Sequence, residues 1–190
     1  MKKWLLILLA FSFTFNAFAQ TTDSKLPPID KSPMDMIYFP IDYPVLKIKD
    51  KATEPLLARV IYSRPQRNNR PIFGELVEYN TIWRLGANEA TEVEFYKEVK
   101  IGNKKVPKGR YTLYAIARPD QWTIILNKDT DTWGAFKYDE KKDVARISVP
   151  VRKAPEVVDA FSMSFSKTAS GADLVIAWDT VMVNLPIVMK

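Results

Sequence analysis

The chain contains no histidine and no cysteine, and those two zeros exclude more than any total. Without imidazole or thiolate, the usual ligands of zinc, copper and haem are missing. Ser-His-Asp and Cys-His catalysis go with them, because nothing else here can play the imidazole. Any chemistry has to rest on carboxylates, lysine, tyrosine, a hydroxyl, or a hard cation bound through oxygen. No disulfide can brace the fold, so cohesion falls to the core even in an oxidising compartment. Glycine is scarce as well, with six against thirteen prolines. Gly74, Gly86 and Gly109 stand alone, and none opens a GxGxxG or P-loop frame of the kind that cradles phosphate. Beyond the first twenty residues no apolar run approaches the ~18 of a spanning helix. No cofactor and no metal site are expected from this inventory.

What is present begins with an address. Lys2 and Lys3 precede an apolar stretch from Trp4 to Phe15, then Ala17-Phe18-Ala19. A positive start, a short apolar run and a small-x-small site make a secretory signal peptide, too short and wrongly flanked to remain as a span. No cysteine follows it, so lipoprotein anchoring is not expected. The reading is a periplasmic or secreted protein with no membrane span after cleavage: signal peptide 1–19, flexible spacer 20–31, folded domain 32–190. About 170 residues suffice for one domain that buries roughly two thirds of its unfolded surface. Of the net charge of +6, two leave with Lys2 and Lys3. The remaining basic residues are scattered rather than gathered beside aromatics on one face, so nucleic acid is not an expected partner.

Past the spacer the pattern is strand and turn, with no convincing helical period. Residues 56–62 form an apolar strand, and Thr91, Val93 and Phe95 alternate with Glu92 and Glu94. Val99 and Ile101 lead to Gly102-Asn103, a hairpin signal. The segment 110–117 is apolar on both faces, as a central strand would be, and Trp122, Ile124 and Leu126 follow on one face. Residues 144–151 form another strand. In 161–166 Phe, Met and Phe alternate with three serines, which marks a half-buried antiparallel strand. Leu174, Ile176 and Trp178 answer it on the next strand, and Val181, Val183 and Leu185 on a last one. Nine or ten short strands at this spacing predict an all-β, single-domain antiparallel β-sandwich, with jelly-roll-like connections as one option and the strand order open.

Chemical variety concentrates in one region. It reads Tyr62-Ser63-Arg64-Pro65, then Ile72-Phe73-Gly74 just after Arg70, then Trp83-Arg84-Leu85-Gly86-Ala87-Asn88-Glu89-Ala90-Thr91. With 108–113 (Lys-Gly-Arg-Tyr-Thr-Leu) and Trp133-Gly134, these words resemble the domain-of-unknown-function 2911 family, found mostly in envelope and secreted proteins of Bacteroidetes-type bacteria. The resemblance runs from about Ser32 to the C-terminus. It implies membership and brings no assigned substrate, cofactor or catalytic residue.

The segment 83–91 is the leading candidate site. As a folded connection it would use Gly86 for a tight turn, Asn88 to bond its own backbone, and Glu89 to pair with Arg84 or Arg64. As a ligand site it would set Trp83, Arg84, Asn88 and Glu89 at the mouth of a cleft, a plausible sugar or polar-metabolite subsite. Arg64, Arg67 and Arg70 could grip a carboxylate or phosphate, or pair with acids such as Glu75 and Glu78. Trp133, like Trp83, sits beside glycine in a loop-like stretch and could stack on a ligand or plug the sandwich. Trp122 and Trp178 read as core. Asp129 and Asp131 superficially suggest a calcium loop but have too few acids for one, and turn chemistry explains them. The resulting reading is a non-catalytic binding module for a carbohydrate or other polar small ligand. An envelope protein-interaction or structural domain is the alternative, and a carboxylate-dependent hydrolase, needing a second acid within ~10 Å of Glu89, the third.

Overall fold

The computed structural model describes residues 26–189, and the signal peptide expected over 1–19 lies outside the described residues. Two antiparallel sheets enclose a shared apolar core, as the alternation predicted. The first sheet runs in the order β1 (Met34–Phe39), β2 (Ala58–Ser63), β4 (Glu92–Phe95), β7 (Gly109–Ala117), β8 (Gln121–Asn127), β9 (Asp143–Pro150), with β3 (Ile82–Trp83) also on β7. The second runs β10 (Arg152–Thr168), β11 (Gly171–Val188), β5 (Val99–Ile101), β6 (Lys104–Val106). The β5–β6 hairpin therefore leaves the first sheet between β4 and β7 and joins the second.

Among the described residues eleven strands are present where nine or ten were expected. The additions are β1, whose residues are mostly half-buried or exposed, and β3, too short to show a period. A six-residue helix, α1 (Tyr43–Ile48), also corrects the strand-only reading. It buries no residue, so no apolar stripe could mark it.

Other expectations hold residue by residue. In β10 Phe161, Met163 and Phe165 are buried, while Ser164 and Ser166 face water. β7 is central and apolar on both faces: Tyr111, Leu113 and Ala115 enter the main core, and Tyr114 enters a smaller cluster with Ile125 and Ala90. Ala135 and Tyr138 pack against that second cluster, so the segment after β8 covers the sheet's outer face.

β11 is eighteen residues long, and fully extended it would span about 60 Å. Yet the Met189 amide donates to the Ser170 carbonyl at 2.8 Å, and Asn184 Nδ2 donates to Asp173 Oδ2 at 3.4 Å. The strand therefore doubles back on itself, with Asp179 in the left-handed region (φ 56°) near the midpoint of those pairs. The two runs expected here, 174–178 and 181–185, are its two arms.

Candidate functional site

β3 and β4 lie end to end along the same edge of β7. Trp83 pairs with Ala115 and Glu92 with Thr112, so residues 84–91 stand opposite only Leu113 and Tyr114. The candidate segment is thus an excursion out of the middle of one interrupted strand. Its shape is held at many points. Ser63 Oγ donates to the Ala87 carbonyl and accepts from the Ala87 amide, both at 2.7 Å. Trp83 Nε1 donates to the Gly86 carbonyl at 3.2 Å, and Thr91 Oγ1 donates to that of Leu85. Gly86 is required here: its φ is 149°, and a Cβ would stand 2.6 Å from Ser63 Oγ. Leu85 and Asn88 both take positive φ, a conformation that costs non-glycine residues of order 1–3 kcal/mol.

The structure divides the predicted site residues among three places. Trp83 is buried in the main core, edge-on to Phe73, Trp122 and Phe161 and stacked on Trp178 at 6.2 Å. It belongs to β3, which corrects its placement in a loop. Arg64 is a strap: its guanidinium donates to Asp35, to Ser162 Oγ and to the Phe161 carbonyl, tying β2 to β1 and β10. Arg67 pairs with Asp179 at 2.9 Å. Neither reaches Glu75 or Glu78, so that expected pairing is replaced by two others.

Asn88, Glu89 and Trp133 lie together on the outer side of the first sheet. The Asn88 carbonyl accepts from the Gly134 amide at 2.9 Å, and Glu89 and Trp133 form a backbone bridge. Glu89 is exposed, and no ion pair joins it to Arg84 or Arg64 among the described residues. Glu89 does share a shallow depression of about 180 Å³ with Glu92 and Asp131. Both of those acids are held by Arg110, so they clamp the loop to the sheet. Trp133 is 62% exposed and lines a neighbouring pocket of about 410 Å³ with Phe136 and Asp129. Among the described residues no group of three or more acids is arranged to hold a metal ion.

Arg70 and Arg84 meet in a separate cleft of about 220 Å³. Pro65, Leu76, Trp83 and Trp178 form its less polar wall, and Gly86 and Ala87 of the excursion its rim. Arg70 is exposed, but its Nε and Nη2 donate to the carbonyls of Arg67 and Gln66, which fixes its guanidinium. Arg84 is half-buried, its Nε fully so and without a hydrogen-bond partner among the described residues. Burial pushes its guanidinium down from the ordinary arginine value, and no acid offsets the effect. Among the described residues no carboxylate lines the cleft. Sequence reasoning found Arg70, Arg84 and Trp83, but missed Trp178 and Leu76 as walls and Ser63 as the clamp beneath. The one signal for Ser63 was its place inside the Tyr-Ser-Arg-Pro word.

Comparison with known proteins gives a single result. The profile of the family described as "Protein of unknown function (DUF2911)" matches residues 47–187. No curated protein and no solved structure matches the chain. Most of the cleft comes from the words that carry the resemblance: Pro65, Arg70, Trp83, Arg84, Gly86 and Ala87.

Proposed function

We propose, given that the chain belongs to the DUF2911 family, that it is an exported, non-catalytic module binding a polar small molecule in the cleft of Arg70 and Arg84. The observation that carries this is Arg84 itself. A guanidinium with a buried, unpartnered Nε costs stability, because a donor taken from water without an acceptor loses ~1–3 kcal/mol. Its neighbours Arg64 and Arg67 are both neutralised by acids; Arg84 is held ready by a strained, heavily bonded excursion. A polar ligand in the cleft would balance the Arg84 charge that no acid among the described residues pairs.

The test is a binding screen followed by fluorescence, since Trp83 and Trp178 line the cleft. Envelope sugars, peptidoglycan fragments and organic acids are added to the purified protein, and a hit should be lost in Arg84→Met. Hits that persist in that variant would place the ligand elsewhere and sink the assignment. A second reading, docking on an envelope protein, is favoured by the exposure of Trp133 and Phe136. It predicts that Trp133→Ser with Phe136→Ser abolishes complex formation and leaves small-molecule binding unchanged.

A further inference from the structure

Hydrogen-bonding groups around the cleft are strongly one-sided. Two arginines line it, and among the described residues no Asp, Glu, Asn or Gln does. Its side-chain acceptors reduce to the Ser32 hydroxyl. Arginine offers five donors and no acceptor. A neutral sugar presents hydroxyls that donate as well as accept, so in such a site its donors would meet few side-chain acceptors. A ligand that only accepts suits it far better.

Size narrows the choice further. The cleft, at about 220 Å³, falls below the ~300–1,000 Å³ usual for drug-sized ligands. It admits a small molecule or the end group of a larger one. Charge points the same way: Arg70 and Arg84 have no acidic partner among the described residues, so two positive charges converge on one space.

We propose that the cleft is a receptor for a compact oxyanion, a carboxylate or a phosphate, gripped between Arg70 and Arg84 with the ligand's less polar body against Pro65, Leu76 and Trp178. This rests on the function proposed above and specifies its ligand class. Arg84 supplies the desolvated, stronger contact, since a charge-assisted bond gains as water is excluded. Arg70, exposed and pinned by its own loop, presents a fixed positive charge that draws the anion in. The anion in turn offsets a guanidinium charge that no acid among the described residues neutralises.

Titration calorimetry on the purified protein separates the possibilities. The probes are succinate and benzoate, their uncharged amides, inorganic phosphate, and glucose as a neutral sugar. Binding of a carboxylate or phosphate is expected, at least ~10-fold tighter than its uncharged analogue, weaker at high salt, and reduced ~10-fold or more by either Arg84→Met or Arg70→Met. Relative affinity for the carboxylates and phosphate tells which oxyanion is meant. If amides or glucose bind as well as the acids and still depend on Arg84, the cleft is a ligand site but not an anion receptor, and only this inference falls. If no probe binds, or binding ignores both substitutions, the inference and the assigned seat of the ligand fall together. Arg70 is exposed, so its variant tests the idea even if the other disturbs folding.

Discussion

Arg84 and Trp83 are neighbours in sequence and opposites in energetics. Trp83 fills the core against four aromatic rings, and Trp83→Ala should cost ~3–5 kcal/mol, as large-to-small core changes do. Arg84 contributes an unsatisfied buried Nε, so Arg84→Met, which keeps the apolar stem, should leave stability unchanged or raise it by up to ~1–2 kcal/mol. Urea unfolding of the two variants measures both, and a large loss in Arg84→Met would reveal a structural role for the guanidinium. Tyr138 makes a residue-scale prediction about pH. Burial, with the hydrogen bond its hydroxyl donates to Asp143, pushes it up to about 12. In the unfolded chain it titrates near ~10. Between those values the unfolded state has released a proton that the folded state retains, so stability falls as pH rises through that window. Thermal melts across it should fall less steeply in Tyr138→Phe than in the parent; Tyr62, Tyr96, Tyr111 and Tyr114, all raised by burial, keep the remaining slope.

At the scale of elements, the sequence was legible where a side-chain period had room to repeat. Phe161, Met163 and Phe165 declared their strand because three alternations fit within it, and β7 declared its central place by being apolar on both faces. β3 has two residues, and no period can show in two. Its loss from the sequence reading is what sent Trp83 to a loop: without β3, an indole next to Arg84 and Gly86 looks surface-bound. The doubled strand β11 carries a sharper prediction. Gly171 sits where its arms meet, and a Cβ there would stand 2.2 Å from the Ile187 carbonyl oxygen. Backbone cannot yield as a flexible side chain can, so Gly171→Ala should cost ~1–3 kcal/mol or more. A melting temperature unaffected by that substitution would mean the arms are not so close.

For the molecule as a whole, the two sheets, their shared core and the family could be read from sequence, whereas the division of the site could not. Seven residues close in sequence or in motif were grouped as one candidate. Folding sent Arg64 to a strap between strands, Glu89 and Trp133 to the sheet's outer face, and Arg70 and Arg84 to the cleft. That sorting depends on which arginine meets an acid, and the acids in question, Asp35 and Asp179, lie 29 and 112 residues from their partners. Distances of that kind leave no local pattern. The same geometry makes ligand and fold interdependent: an anion at 100 times its dissociation constant should add about 2.7 kcal/mol of stability, several degrees in a thermal melt.

The excursion of 84–91 has a consequence for rates. It is stitched to β7 at both ends, to Ser63 beneath and to residues 132–134 beside it, so it has no hinge on which to swing. Ligand entry then requires no gate to open. In stopped-flow fluorescence the association rate should climb in proportion to ligand concentration without reaching a plateau, and residence time alone should set how tightly each anion is held.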